Sequence, residues 1–227
     1  MNLTLVLGEL TKGFGKTLLL FATTLIVAIP LGLLFALCAR SKFKPLKYLV
    51  KGLIWVIRST PLMLQVLFVS FVPYYGFNIL NKQLAGFLGV EIHTLTFIFI
   101  AIAFALNYAC YYAEIFRGGI ESIPKGQYEA GKVLGMTKSQ IFFKVILFQV
   151  VKKVLAPVSN EVITLVKDTA LASVLGFEDL FTVAKGLVNQ YVDLAPFLYA
   201  AIFYLVFNGL LTLLFGFIEK KLSYYKE

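Results

Sequence analysis

A single histidine and two cysteines are all that a chain of 227 residues offers to metal-binding or hydrolytic chemistry. His93 stands alone, so no Ser/His/Asp or Cys/His set can be assembled. Cys38 and Cys110 have no partners at metal-ligand spacing and read as packing residues within apolar runs. Charge is scarce as well: 15% of residues are charged against 59% hydrophobic, with a mean hydropathy of +0.85. That balance excludes a soluble globular domain. The apolar residues instead form charge-free runs at Thr17–Ala39 (23 residues), Thr94–Ala113 (20) and Leu194–Ile218 (25). Each is long enough to cross a bilayer as a helix. A fourth run, Gly52–Phe77, carries only Arg58, and a fifth, Ile141–Val166, is interrupted by Lys144, Lys152, Lys153 and Glu161. The expectation is an all-α membrane protein with one transmembrane domain over residues 1–227. Its five spans are placed at about 17–39, 52–77, 94–116, 141–166 and 194–218.

The net charge of +9 raises the question of nucleic acid, but its distribution reads as membrane topology. Sixteen of the 21 basic residues fall in Arg40–Lys51, at Arg58, in Arg117–Lys153 and in the tail at Lys220, Lys221 and Lys226. The alternate segments hold only Lys12, Lys16, Lys82, Lys167 and Lys185 beside six acids. The positive-inside rule puts those segments outside, with the N-terminus outside and the C-terminus in the cytosol. Met1–Lys16 lacks a basic start before a short apolar core, so no cleaved signal is expected. No nucleic-acid partner is expected; the lipid bilayer is.

One motif is a decoy. Gly13-Phe14-Gly15-Lys16-Thr17 ends like a phosphate-binding loop, which needs a glycine where Leu10 stands and a soluble helix where a membrane span follows. No nucleotide site is expected on this chain.

The longest cytosolic stretch, about residues 117–140, reads as structured. Pro124 suits a first helical turn, Gly135 a helix end, and Thr137 with Gln140 a capping box opening the next helix. Ile123, Ala130, Val133 and Leu134 can share one face of the short helix between them, with Lys125, Glu129 and Lys132 presenting charge. Such a helix lies on lipid or docks on a protein partner.

Glu129-Ala130-Gly131, then Gly135, Val145 and Leu147, resemble the EAA loop of ABC importer permeases. Gly131 replaces the usual alanine, Val145 isoleucine and Phe148 proline. Arg58-Ser59-Thr60-Pro61-Leu62 with Gln65, the run Tyr112–Ile120, Ser122–Gln127, and Asn160-Glu161 followed by Lys167-Asp168-Thr169 resemble signatures of the polar amino acid uptake branch. Together they cover the chain from about the second span to beyond the fourth.

The resemblance implies the type I ABC importer permease fold with a cytosolic coupling helix, in an ATP-driven importer of the bacterial cytoplasmic membrane. It implies two ATP-binding subunits, a second permease subunit in a homo- or heterodimer, and an extracytoplasmic substrate-binding protein that delivers an amino acid. ATP and Mg are expected on the partner ATPase, and hydrolysis there; no cofactor is expected on this chain. Gln127, Glu129, Ala130, Gly131, Leu134 and Gly135 would form the ATPase-coupling surface. In that role Glu129 would contact a basic residue, Ala130 permit close approach and Gly135 allow the turn.

Ionisable and amide groups inside spans are costly unless they face a cavity or partner. Glu161 with Asn160 is the leading candidate for the substrate pathway, placed to meet the α-ammonium or a cationic side chain, or else to pair with Lys167 or Arg58. Gln65, Asn107 and Tyr108 are candidates for the same lane or for interhelical hydrogen bonds. Arg58, beside Thr60-Pro61, is a candidate near its cytosolic mouth. The Ser159–Ile163 wording leans toward basic amino acids. The alternative function is an ion-coupled secondary amino acid carrier, with Glu161 as its relay.

Overall fold

A computed structural model describes residues 3–222, and its regular structure is helical throughout. Helix α1 (Leu3–Ala39) is 37 residues long, or roughly 55 Å, well beyond the hydrocarbon thickness of a bilayer. It therefore starts far before the expected Thr17. Its buried positions, among them Leu10, Gly13, Thr17, Thr24, Ala28, Gly32 and Ala36, recur every three or four residues and are mostly small. Such a stripe lets helix backbones approach closely in a membrane, where apolar burial alone drives nothing. Gly32 sits where α1 crosses α5 (Ile92–Glu121). A Cβ there would lie 2.7 Å from Tyr112 Cβ and 2.9 Å from the Ala109 carbonyl oxygen.

Helix α5 is the hub. It packs on α1, on α2 (Lys44–Arg58) and α3 (Leu62–Phe77), and on α8 (Leu147–Asp168). Ile100, Phe104, Tyr108 and Tyr112 on α5 lie in the central core with Leu20, Val66, Val162 and Leu165. The short α4 (Asn81–Leu88) leads into α5. Helix α10 (Ala195–Leu222) packs on α8 and on α9 (Leu180–Tyr191), leaving Leu205, Leu213 and Phe217 on its outer face for lipid.

The expected second span is not one helix. It breaks at Ser59–Pro61 into α2 and α3, bent by 111°. Pro61 has no N–H to give to the Ile57 carbonyl, so the ladder fails there. The Gln65 side chain replaces the missing donor: Nε2 reaches Ile57 O at 2.7 Å and Thr60 O at 3.0 Å. The expected fourth span, the charged one, is also composite: a four-residue α7 (Lys138–Ile141), a π-helical turn (Phe142–Ile146), then α8. By length and composition three helices, α1, α5 and α10, can cross a membrane, or four if the bent pair counts as one. The expected five spans exceed this because α8, with Lys152, Lys153, Glu161, Lys167 and Asp168, is too charged to qualify by composition; its place in the bundle comes from packing on α5 and α10. Lys226, counted above among the cytosolic charges, lies outside the described residues.

A 3₁₀ segment (Thr169–Leu175) and α9 follow α8 at the end of the bundle where α1 begins. Asp179 caps α9, accepting from Thr182 N at 2.9 Å and Phe181 N at 3.3 Å. The carboxylate is buried, and loss of water pushes its pKa up against the pull of those donors. Lys16 of α1 and Glu178 form an ion pair beside it.

Candidate functional site

Two groups of residues stand out, one inside the bundle and one at its cytosolic end. Inside, the break between α2 and α3 faces α5. Asn107 Nδ2 donates to Gln65 Oε1 at 3.0 Å, so Gln65 both closes the broken end of α2 and ties it to α5. Gln65 and Asn107, expected to line a lane or to join helices, spend these hydrogen-bonding groups on joining helices. Arg58, at the last position of α2, sets its guanidinium 5.2 Å from the centre of the Tyr111 ring.

Next to Asn107 on α5, Tyr108 is buried and donates its hydroxyl to Asp168 Oδ2 at 2.8 Å. Glu161 lies on the same helix as Asp168, seven residues earlier, so two turns place both carboxylates on one face of α8. Glu161 is half-buried and forms neither of the ion pairs expected for it, with Lys167 or Arg58, among the described residues. The charges that reach it are those of Asp168 and Arg58. Asn160, one residue away, is exposed. The structure thus brings Tyr108, Glu161, Asp168 and Arg58 into one electrostatic neighbourhood, with Asn107 and Gln65 hydrogen-bonded beside it at the α2–α3 break. Sequence reasoning missed Asp168 and Tyr111. Asp168 stands inside the quoted Lys167-Asp168-Thr169 motif, and its seven-residue offset from Glu161 was the available signal.

At the cytosolic end, α5 closes with Arg117 bridging Glu114 at 2.5 Å and Glu121 at 2.6 Å. Glu121 also meets Arg40 at the end of α1, at 3.9 Å. Pro124 occupies the cap position, and α6 (Lys125–Val133) follows. The helix ends in a reversal at Gly135, φ +69°, with Met136 N donating back to Gly131 O at 3.0 Å and Gly135 N to Lys132 O at 2.9 Å. Thr137 and Gln140 then form the expected capping box. Gln149 Nε2 reaches Gln127 Oε1 at 3.3 Å, tying α6 to α8.

The expected single apolar face of α6 is split. Ile123 is buried in a cluster with Ile141, Ile146 and Val150, whereas Val133 and Leu134 are 87% and 78% exposed. Glu129 and Ala130 are exposed beside them. Gly131 points the other way: a Cβ there would lie 2.6 Å from Ile141 Cγ1. This contact explains why glycine stands where the resembled motif has alanine. Helix α6 is therefore clamped to the bundle along one side and presents Glu129, Ala130, Val133 and Leu134 on the other.

A helical bundle with long apolar helices, charged and amide side chains between them, and a short helix packed against its end has the architecture of a multi-pass membrane protein. The comparisons agree. Residues 28–224 match the family of binding-protein-dependent transport system inner membrane components, and the chain belongs to that family. It is 36% identical over 218 residues to the L-cystine transport system permease protein TcyB of Bacillus subtilis, covering 95% of this chain and 87% of that one. It is 31% identical over 231 residues to the arginine ABC transporter permease protein ArtQ of Escherichia coli K12, covering 94% and 93%. Among solved structures, an amino acid ABC transporter with histidines superposes with a TM-score of 0.80 at 30% identity, covering 94% of both chains. The inward-facing MetNI methionine ABC transporter, at 17% identity and a TM-score of 0.73, shares the fold.

Proposed function

We propose that this chain is the transmembrane pathway subunit of an ATP-driven importer of polar amino acids, leaning to cationic ones. It receives substrate from an extracytoplasmic binding protein and is coupled through residues 120–137 to two cytosolic ATP-binding subunits, which hold ATP and Mg. The observation that carries this reading is the clamped helix α6. A surface helix that offers Val133 and Leu134 to solvent, while its other side is fixed by Gly131 on Ile141, is built to dock in a groove and transmit movement. Glu129 supports the reading as the one acid on α6, exposed and available for a charge-assisted contact with a basic residue of the ATPase.

A second copy of this permease, or a similar subunit, completes the pathway. Glu161 and Asp168 on one face of α8 supply negative charge to it, with Arg58 and Tyr108 alongside. Asp168 has the Lys167 charge and the Tyr108 hydroxyl beside it, whereas Glu161 has no ion pair among the described residues, which favours a substrate that brings its own cation. Glu161→Gln is expected to reduce uptake of arginine or lysine at least about tenfold while reducing glutamine uptake far less, since an unpaired buried charge carries more than 1.4 kcal/mol of recognition. Uptake of radiolabelled amino acids into proteoliposomes checks it, and equal loss for both substrates removes Glu161 as a charge reader.

The turn is tested separately. Nothing lies within 4 Å of a Cβ built on Gly135, so Gly135→Ala meets no neighbour in this chain and acts within it through backbone strain, about 1–2 kcal/mol in the left-handed region. It is expected to lower substrate-stimulated ATP hydrolysis several-fold at unchanged yield of the assembled transporter. Unchanged coupling removes the turn from the mechanism.

A further inference from the structure

The segment from the end of α1 through α2 carries Arg40, Lys42, Lys44, Lys47, Lys51 and, at its last position over Tyr111, Arg58, and no acid. Arg40 meets Glu121, but Lys42, Lys44 and Lys47 form no ion pair among the described residues. At 100° per residue, Lys44, Lys47, Tyr48, Lys51 and Trp55 fall within an arc of about 100° on α2. Tyr48 and Trp55 are 66% and 70% exposed on that stripe. Core contact is made by a neighbouring arc, Val50 and Ile54, which pack on Ala39, Cys110 and Ala113. On the opposite flank Leu49, 69% exposed, faces outward. Helix α2 thus has three sides: one on the bundle, one apolar and open, and between them a stripe of lysines interleaved with amphipathic aromatics.

Tyrosine and tryptophan with lysine at this spacing match the boundary between acyl chains and headgroups, where rings sit at headgroup level and lysines reach phosphate. Val50 and Ile54 of α2 pack on Cys110 and Ala113, just before the charged end of α5 at Glu114, Arg117 and Glu121, which sets the stripe at the boundary on that side. We infer that the lysine–aromatic stripe of α2 is a binding surface for anionic phospholipid headgroups of the cytosolic leaflet. Charge decides the occupant: Lys44 and Lys47, without an ion pair among the described residues, and Lys51, whose charge also reaches Glu114, gather phosphates of net negative lipids over zwitterionic ones. The stripe stands apart from α6, so it does not compete with the docking surface for the ATPase.

Trp55 is the only tryptophan of the chain and reports on this surface directly. The purified full-length chain is reconstituted in vesicles mixing phosphatidylglycerol and phosphatidylcholine, with the bromine label on one lipid or the other at the same mole fraction. Brominated phosphatidylglycerol is expected to quench Trp55 emission at least about twofold more strongly than brominated phosphatidylcholine, and high salt is expected to erase the difference. In the triple variant Lys44→Gln, Lys47→Gln, Lys51→Gln the preference falls to unity, while quenching by phosphatidylcholine persists and reports that Trp55 still lies in the bilayer. The triple Lys→Arg variant keeps the preference. Equal quenching by both lipids in the unaltered chain overturns the inference and assigns the stripe to an acidic protein surface. A preference that survives the Lys→Gln variant overturns it as well.

Discussion

Gly32→Ala is expected to prevent the bundle from assembling normally. The added Cβ would come 2.7 Å from Tyr112 Cβ and 2.9 Å from the Ala109 carbonyl oxygen. Both are atoms of the α5 backbone or fixed directly to it, so no side-chain rotation relieves the clash; α1 and α5 must separate along their shared interface. Overpacking of this kind costs about 1–3 kcal/mol, which corresponds to a loss of roughly 2–12 °C in melting temperature for a chain of this size. Gly8→Ala and Gly15→Ala on the same helix meet nothing within 4 Å and gain helix propensity, so they are expected to be neutral or slightly stabilising. Thermal unfolding of the detergent-purified chain, followed by the exposure of Cys110 to a thiol reagent, separates the three. If all three glycine variants melt together, the close α1–α5 crossing is wrong.

The second large effect concerns coupling. Gly131→Ala moves the loop toward the alanine of the family motif, yet it is expected to damage this protein, because the new Cβ falls 2.6 Å from Ile141 Cγ1. Ile141 is itself buried against Ile146 and Val150, so it has no room to retreat, and α6 must lift from the bundle. Substrate-stimulated ATP hydrolysis is expected to fall at least about tenfold, equivalent to losing about 1.4 kcal/mol of the coupled geometry. Gly131→Ala combined with Ile141→Ala restores the space and is expected to recover most of the coupling, as contacting residues do in a double-mutant cycle. Gly131→Ala with full activity, or a double variant no better than the single, places α6 elsewhere.

These two positions illustrate what was legible in the sequence. Membrane class, the boundaries of the apolar stretches around α5 and α10, and the capped turns at Thr137 and Gly135 follow from local rules: run length, cap chemistry and positive φ. The roles of Gly32 and Gly131 do not, since each depends on what lies across an interface. The break at Pro61 was within reach, because proline cannot donate to Ile57; what the sequence did not reveal is that Gln65 would supply the missing bond and make a sharp bend stable. The face of α6 was misread for a related reason. Helical periodicity groups Ile123 with Val133 and Leu134, but Ile123 precedes Pro124 and lies outside the helix, so the shared phase does not extend to it. Asp168 was visible as a motif residue and became a site candidate only when Tyr108 was found donating to it.

Coupling through α6 and recognition at α8 make different demands on the molecule. The first needs a rigid bracket, which Gly131, Gly135, the Thr137–Gln140 box and the Gln127–Gln149 bond supply. The second needs charge held inside a membrane, where a carboxylate persists only with water or a partner close by. Glu161, half-buried and without an ion pair among the described residues, has the character that the proposed recognition requires.

The most direct test of the central claim is ATP hydrolysis by this chain co-reconstituted in liposomes with a candidate ATP-binding subunit. The assay is run with and without a binding protein loaded with arginine, histidine, lysine, glutamine or cystine. Stimulation by one loaded binding protein, together with its amino acid accumulating on the cytosolic side, is the predicted result. Amino acid flux that follows an ion gradient, with no stable ATPase complex and no stimulation, would contradict the account and make the chain a secondary carrier.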